Sequence, residues 1–230
     1  MDSQAHFDRI AKQYDGWKKK NWYYYQNLKA LYAGLIPPSS RVWEIGCGTG
    51  DLLASLHPSE GLGTDVSTEM IAIARSKYQA APNLKFITED QFTPLSPLGD
   101  FTGPLSNYDF IFMADVLEHI ADPNAFFNNL NSKTSSGQHL IVSVANALWE
   151  PLLLVAEKLK LKMPEGPHKR LSIPATEKLF TQYNWKIEER GYRLLIPKKV
   201  PGADFINKKF HRSKLLAPLG FIVYWELVRE

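Results

Sequence analysis

The chain has one cysteine, Cys47, among its 230 residues, so it cannot form an intramolecular disulfide. So little cysteine fits a reducing compartment. No apolar run approaches the ~20 residues that a membrane-spanning helix needs. The first residues also lack the basic and apolar regions of a secretory signal peptide. Together these absences predict a cytoplasmic protein.

Several well-known site patterns are also missing from the sequence. It contains no Gly-x-Ser-x-Gly, which argues against an α/β-hydrolase. No Gly-Lys-Ser/Thr follows its glycine-rich stretch, so it has no P-loop. The dinucleotide pattern Gly-x-Gly-x-x-Gly would need glycine where Asp51 stands, which argues against a nicotinamide-dependent oxidoreductase.

The composition is that of a folded domain with an uneven charge distribution. Hydrophobic residues make up 44% of the chain, and the net charge is +3. Residues 151–230 hold 16 Lys/Arg and 8 Asp/Glu, whereas residues 1–150 hold 11 and 16. The basic region is either a solvated surface or a face for an anionic substrate or membrane. No nucleic-acid-binding module is recognisable, so nucleic acid is not expected as a partner.

The order of apolar patterns predicts an α/β fold. Residues 5–36 have helical periodicity, and Pro37-Pro38 ends that region. Strands and helices then alternate, which implies a mostly parallel sheet with helices on both faces. The predicted strands are 41–45, 61–65, 84–88, 108–113, 138–144, 185–196 and 220–228, and the predicted helices are 51–57, 67–79, 123–133, 148–161 and about 174–183. We expect a helical cap over residues 1–36 and one domain over residues 37–230.

The most informative segment is Val42-Trp43-Glu44-Ile45-Gly46-Cys47-Gly48-Thr49-Gly50. It predicts a buried strand carrying an acid, then a glycine-rich turn that leads into a helix. Such a turn can place backbone N–H groups against a ligand. Glu44 would repel a phosphate but can pair with an ammonium group. Cys47 is expected to be a small filler in the turn rather than a nucleophile.

This segment resembles motif I, (D/E)-x-G-x-G-x-G, of the class I S-adenosylmethionine (SAM)-dependent methyltransferases. The stretch 108–120, Tyr-Asp-Phe-Ile-Phe-Met-Ala-Asp-Val-Leu-Glu-His-Ile, resembles motif IV of the type 11-like subgroup with Leu-Glu-His after this strand. The pattern Phe7-Asp8-x-x-Ala11-x-x-Tyr14-Asp15 is similar to a helix that covers bound SAM in many members. The resemblance covers residues 5–196. It implies a Rossmann-like, seven-stranded sheet ending in an antiparallel hairpin, with SAM as cofactor and S-adenosylhomocysteine as product.

The resemblance also implies cofactor contacts. Glu44 would take the SAM ammonium and Asp65 the ribose hydroxyls, although each acid can instead cap a nearby helix. Asp90 would meet the adenine amino group, with Glu89 as the alternative. The full predicted set is Tyr14 as lid residue, Glu44, Gly46, Cys47, Gly48, Gly50, Asp65, Val66, Met70, Asp90, Gln91, Met113 and Ala114.

On the acceptor side, His119 is the predicted base and Asp115 faces the acceptor. His119 can alternatively be a structural residue. Some quinone-type methyltransferases hold a cation with Glu-x-x-Glu-His; here Asp115 stands at the first position, and no metal is predicted. The aromatic run 22–25 either packs the helix on the domain or lines an acceptor pocket. His168 is expected to be exposed rather than on the substrate side.

Two segments on the acceptor side, 149–175 and 197–217, mix apolar and basic residues. They favour a small-molecule or lipid-like acceptor, methylated on oxygen or nitrogen, with contact to an anionic membrane. The alternatives are a SAM-binding protein without catalysis and, less well supported, a nicotinamide-dependent oxidoreductase.

Overall fold

A computed structural model describes residues 3–88, 105–164, 168–211 and 213–230. The strands are β1 (Arg41–Ile45), β2 (Glu60–Asp65), β3 (Leu84–Thr88), β4 (Phe110–Ala114), β5 (His139–Ala145), β6 (Trp185–Arg193) and β7 (Ile222–Arg229). The helices are α1 (Ser3–Lys20), α2 (Trp22–Leu35), α3 (Asp51–Ser55), α4 (Thr68–Lys77), α5 (Pro123–Asn131), α6 (Glu150–Lys158), α7 (Ile173–Gln182) and α8 (Ala203–Phe210).

The seven strands form one sheet in the order β3-β2-β1-β4-β5-β7-β6. Strands β1 to β5 pair in parallel, whereas β7 runs antiparallel to both β5 and β6. The predicted α/β fold with a terminal antiparallel pair is therefore confirmed. The strand order reverses between β1 and β4, and ligands of open α/β sheets bind at such a point, beyond the carboxyl ends of the strands.

The N-terminal region differs from the prediction of one helical stretch. It consists of α1 and α2, which are separated at Asn21. The Asn21 side chain donates to the Trp17 carbonyl, 3.3 Å away, a local bond that competes with helix continuation. The bounds of the other predicted helices and strands differ only slightly from those observed. In the segment 197–217, to which the sequence assigned no definite element, residues 203–210 form α8.

Helix α2 is anchored in the core that covers one face of the sheet. It buries Tyr23, Leu28, Leu31 and Tyr32. The Tyr32 hydroxyl donates to the Met113 carbonyl at 2.8 Å and lies 2.9 Å from the Ser143 hydroxyl. These bonds hold α2 across the ends of β4 and β5, which brings the aromatic run at its start to the carboxyl edge of the sheet.

Helix α1 contributes fewer core residues. Its Ile10 and Ala11 pack with Met70 of α4 in a small cluster of their own. Polar contacts complete the attachment, because the Asp8 carboxylate accepts from the Ser67 hydroxyl at 2.6 Å and from the Glu69 N–H at 3.2 Å. Across the parts of the chain described above, no helix is both long enough and apolar enough to cross a membrane.

Candidate functional site

A cavity of about 1180 Å³ lies at the carboxyl ends of β1, β2 and β4, with α1, α2 and α6 among its walls. Pockets for single small ligands measure roughly 300–1,000 Å³, so this cavity is slightly larger than that range. Most of the predicted site residues line it, namely Tyr14, Glu44, Gly46, Cys47, Gly48, Asp65, Val66, Met70, Ala114, Asp115 and His119.

Four other predicted residues are not placed in the cavity. Gly50 is the residue before α3, with a left-handed backbone. The side chain of Met113 is fully buried in the core on the other face of the sheet. Asp90 and Gln91, together with the alternative Glu89, lie outside the described residues.

The glycine turn brings the backbone close to its neighbours. Gly46 has φ +72°, and a Cβ there would lie 2.3 Å from a methyl carbon of Val116. Gly48 has φ +52°, and a Cβ there would lie 3.1 Å from the Tyr14 ring. Both positions therefore require glycine, and Tyr14 of α1 covers the turn as the lid prediction requires.

Three N–H groups of the glycine turn, those of Gly46, Cys47 and Gly48, donate to acceptors within the protein. Gly46 and Cys47 both donate to the Thr64 carbonyl, at 2.7 and 2.9 Å. Gly48 donates to the Asp65 carboxylate at 2.8 Å. The glycine turn therefore brings the backbone close to the cavity, and the adjacent carboxylates of Glu44 and Asp65 are polar groups beside it.

Glu44 lies at the end of β1 and is 3% exposed. Its Oε2 accepts the Leu53 N–H of α3 at 3.0 Å, which is the helix contact expected under the capping alternative. Burial raises the pKa of the Glu44 carboxyl well above its usual range, and the nearby Lys18 ammonium opposes that rise. Glu44 also lines the cavity, so a cationic ligand there would favour its ionised form.

Asp65 ends β2 and is held by two backbone donors. Its Oδ2 accepts from Gly48 N–H at 2.8 Å, and its Oδ1 accepts from Ser67 N–H at 2.9 Å. Burial raises the pKa of Asp65 to about 6, although both bonds act in the opposite direction. Each carboxylate oxygen can accept more than one hydrogen bond. Asp65 is thus fixed in orientation and retains capacity for ligand hydroxyls.

An ion-pair cluster that the sequence reasoning missed joins α1 to the glycine turn. Lys18 pairs with Asp15 and Asp51, and Lys77 pairs with the same two acids at 2.7 and 2.6 Å. Thr49 donates to Asp15 at 2.7 Å. Burial raises the pKa of Asp51, but the ammonium groups of Lys18 and Lys77 outweigh it and lower that pKa far below its usual range. We call these five residues the α1 clamp. The spacing of Tyr14, Asp15 and Lys18 along one helix was the available signal.

Asp115 lies in the part of the cavity that is predicted to take the acceptor, which we call the acceptor half. It follows β4 with φ +56°, a left-handed backbone that is uncommon for a residue other than glycine. Its N–H donates to the Ser143 carbonyl at 2.9 Å, and its carboxylate accepts from the Tyr24 hydroxyl. Burial and the adjacent Asp115 raise the pKa of Tyr24 well above its usual range, so Tyr24 remains a hydrogen-bond donor.

His119 and Glu118 line the same half of the cavity from the single 3-10 turn Leu117–His119. The Phe7 ring of α1 packs edge-on against His119, with ring centroids 5.3 Å apart. His168 has a centroid 6.2 Å from that of His119 and lies 3.1 Å from a Glu150 oxygen. The His168 side chain is mostly buried beside Glu150, not exposed as expected.

No group of three or more His, Cys, Asp or Glu that could hold a metal ion is found among the described residues.

The remaining walls of the acceptor half are aromatic and aliphatic. The aromatic run is divided between the core and the cavity, because Tyr23 is buried whereas Trp22, Tyr24 and Tyr25 line the cavity. The apolar lining residues on this side include Trp17, Trp22, Tyr24, Tyr25, Trp149, Leu152, Leu153, Ala156 and Phe221. Lys162 and Lys198 also reach the cavity. The chemistry of this half suits an apolar ligand, with carboxylates at its inner end.

Comparison with protein families gives one match over most of the chain. A family model described as "Methyltransferase domain" matches residues 17–190. Malonyl-[acyl-carrier protein] O-methyltransferase 1 of Ilyobacter polytropus is 28% identical over 141 residues, which cover 60% of this chain and 49% of that protein. Ubiquinone biosynthesis O-methyltransferase of Aliivibrio fischeri is 24% identical over 154 residues, which cover 64% and 60%. The match thus spans about half to three fifths of the length of these relatives.

Solved structures share the fold over nearly the whole chain. A SAM-dependent methyltransferase from Thermotoga maritima has a TM-score of 0.70 at 17% identity, covering 99% of both chains. Magnesium protoporphyrin IX methyltransferase from Synechocystis, solved with bound S-adenosylhomocysteine, has a TM-score of 0.54 at 20% identity, covering 100% of this chain and 88% of the other. At these identities the likeness concerns the fold.

Proposed function

The chain belongs to the SAM-dependent methyltransferases of class I, and from that premise we propose that it methylates an amphiphilic, small-molecule or lipid-like acceptor on oxygen or nitrogen. One observation carries the proposal. A single cavity joins a glycine turn flanked by two acids to an apolar chamber that contains Asp115 and His119. The first part suits the cofactor, and the second suits the acceptor.

The described residues fit the chemistry of SAM. Glu44 is a buried carboxylate beside the cavity, and an ammonium group would stabilise its ionised form. Asp65 is held by two backbone donors in a position to accept ribose hydroxyls. Val66 and Met70 offer apolar surface for an adenine ring, and Tyr14 covers the glycine turn. We propose these residues as the cofactor contacts.

When bound, SAM supplies a methyl group on a positively charged sulfur that is already a good leaving group. The protein must therefore align the acceptor, exclude water and remove a proton where the acceptor carries one. We assign the proton to His119, because an imidazole titrates near neutral pH. Asp115 orients the acceptor through its carboxylate, which Tyr24 holds in place. Helices α1, α2 and α6 enclose the cavity and limit access of water.

The lining of the acceptor half supports an apolar acceptor with a polar reacting end. Aromatic and leucine side chains form its walls, whereas Asp115, Glu118 and His119 stand at its inner end. Both curated relatives described above are named as O-methyltransferases, which favours oxygen over nitrogen. We also propose contact with an anionic membrane, because exposed apolar side chains and exposed lysines lie beside the cavity.

Calorimetric titration with S-adenosylhomocysteine tests the cofactor site directly. We expect micromolar binding by the wild type and a loss of at least tenfold in the Asp65→Ala variant. Asp109→Ala is the matched control, because Asp109 lies just before β4, outside the cavity, and pairs with the exposed Arg41. Folded wild-type protein that does not bind would overturn the proposal. Binding without methyl transfer to any acceptor of a broad panel would instead indicate a SAM-binding protein without catalysis.

A further inference from the structure

Helix α6 is mostly apolar in sequence, yet it contains no buried residue. Its nine residues read Glu-Pro-Leu-Leu-Leu-Val-Ala-Glu-Lys, and none of them is buried. Leu153 and Ala156 line the cavity, whereas Leu154 and Val155 are 48% and 51% exposed. The helix is therefore a wall one helix thick, with the cavity on one side and the surroundings of the protein on the other.

Exposed apolar side chains are concentrated around this wall. Within the described ranges, every large apolar side chain that is exposed lies at Trp22, within 148–161 or within 200–219. These places adjoin each other. The Trp149 indole donates to the Leu219 carbonyl at 3.0 Å, and Lys198 donates to the Asn21 side chain beside Trp22 at 2.7 Å. We call the surface formed by Trp22, 148–161 and 198–219 the apolar face.

Basic residues surround the same surface. Segments 148–161 and 198–219 contain seven exposed lysines, namely Lys158, Lys160, Lys198, Lys199, Lys208, Lys209 and Lys214. The acids in these segments are Glu150, Glu157 and Asp204, and Asp204 is paired with Lys199. An apolar surface ringed by lysines is complementary to anionic lipid headgroups over acyl chains. A second copy of this chain would bring like charges together, which disfavours self-association through this face.

We propose that the apolar face docks on the surface of an anionic lipid bilayer, with α6 lying in the headgroup region. The inner side of α6 lines the acceptor half of the cavity. A lipid-like acceptor can then pass from the bilayer over α6 into the cavity without crossing water. This entry route rests on the proposed function, whereas the docking itself does not.

Vesicle co-sedimentation of the full chain tests the docking. The probes are vesicles of phosphatidylcholine alone and of phosphatidylcholine with phosphatidylglycerol. We expect binding to the anionic vesicles, several-fold weaker binding as salt is raised from low to physiological, and little binding to the neutral vesicles. The double variant Leu154→Glu/Val155→Glu should reduce partitioning at least tenfold, because these outward side chains do not line the cavity.

The matched control is Ala72→Glu/Ala80→Glu, which adds the same charge at exposed positions in and just after α4. It should bind vesicles as the wild type does, apart from the small electrostatic effect of added negative charge. A charge-reversal variant, Lys158→Glu/Lys160→Glu, should lose binding at low salt without altering the leucines.

Three results would overturn the inference. The first is wild-type protein that does not bind anionic vesicles, and the second is an equal loss of vesicle binding in the α6 variant and its control. The third is a wild-type dimer that becomes monomeric in the α6 variant, with no binding of either to vesicles. Calorimetry with S-adenosylhomocysteine separates this failure from failure of the proposed function, since the α6 variant should keep wild-type cofactor affinity.

Discussion

The hydroxyl of Tyr24, in the first turn of α2, donates a hydrogen bond to the carboxylate of Asp115 at the end of β4. This bond joins the N-terminal helical region to the strand end that faces the acceptor half of the cavity. Asp115 has a left-handed backbone conformation, and the bond fixes its carboxylate. The orientation of Asp115 therefore depends on Tyr24, which is distant in sequence.

Removing that hydroxyl should impair catalysis without unfolding the chain. A hydrogen bond to a charged group contributes about 1.5–3 kcal/mol, so we expect Tyr24→Phe to lower kcat at least tenfold. Affinity for S-adenosylhomocysteine should stay the same, since Glu44 and Asp65 are left intact. The measurements are kcat, as turnover of SAM on an acceptor found by screening, and calorimetry with S-adenosylhomocysteine.

Tyr23→Phe is the control for this experiment. It removes a comparable bond, from the Tyr23 hydroxyl to Asp204 at 2.8 Å, but Tyr23 does not line the cavity. It should lower Tm slightly and leave kcat unchanged. Equal kcat values for Tyr24→Phe and the wild type would show that Tyr24 does not position Asp115.

Glu44→Gln separates the two roles considered for Glu44. Glutamine keeps an oxygen that can accept the Leu53 N–H but carries no charge for an ammonium group. We therefore expect an unchanged Tm and at least a tenfold weaker affinity for S-adenosylhomocysteine, measured by calorimetry. Unchanged affinity would mean that Glu44 serves only to cap α3.

The raised pKa of Asp65, about 6, predicts opposite effects of pH on binding and on stability. The ionised form accepts ribose hydroxyls, so cofactor affinity should fall as pH drops, by about tenfold one unit below the pKa. Stability of the ligand-free chain should change the other way. The pKa of Asp65 in the folded chain exceeds the usual 3.8. Its contribution to the free energy of unfolding is therefore fully present below pH 3.8 and is lost as pH rises through 6.

Calorimetry with S-adenosylhomocysteine between pH 7.5 and 5, roughly the range over which this carboxyl titrates, measures the binding part. Asp65→Asn cannot titrate, so its weaker affinity should stay flat over the same range. A wild-type affinity that does not depend on pH would contradict the assignment of Asp65 to the ribose.

The α1 clamp should govern how fast the cofactor leaves. Lys18→Met removes the ammonium that pairs with Asp15 and Asp51, which loosens α1 over Gly48. We expect dissociation of S-adenosylhomocysteine to accelerate about three- to tenfold, a loss of roughly 1 kcal/mol from a half-buried pair. Stopped-flow fluorescence of Trp17, which lines the cavity, reports the rate. The exposed Lys12→Met on the same helix should change nothing.

His119→Gln tests the proposed base. General base catalysis contributes about 10²–10⁴-fold, so kcat should fall by at least a hundredfold while affinity for S-adenosylhomocysteine stays the same. A large loss of Tm with little loss of kcat would favour the structural alternative. His211→Gln, at a half-buried position just after α8 and outside the cavity, is the control.

Local patterns in the sequence were enough to predict the sheet and to place the glycine turn, Glu44 and Asp65 together at one cavity. Strand runs, the glycine turn and the acids Glu44 and Asp65 are encoded within short segments, whose apolar spacing and turn chemistry act locally. The position of Met113 also followed from a local rule that the prediction overlooked. Successive side chains of a strand face opposite sides, so Ala114 lines the cavity and Met113 faces the opposite core.

The acceptor end depends on contacts between distant segments, which sequence alone did not reveal. The break at Asn21, the bond from Tyr24 to Asp115 and the placement of α6 against the cavity all result from packing across more than one element. The basic segment 197–217 gave no periodic signal, because α8 is short and buries only Ala203 and Asn207.

Helix α1 touches both halves of the cavity. Its Tyr14 lies on the glycine turn, whereas its Lys20 reaches the Lys160 carbonyl just after α6 and its His6 lies 3.1 Å from the Pro164 carbonyl. Whatever seats α1 over the cofactor therefore also completes the wall of the acceptor chamber. We therefore expect the cofactor to enter first and its product to leave last, so that S-adenosylhomocysteine inhibits competitively against SAM and non-competitively against the acceptor.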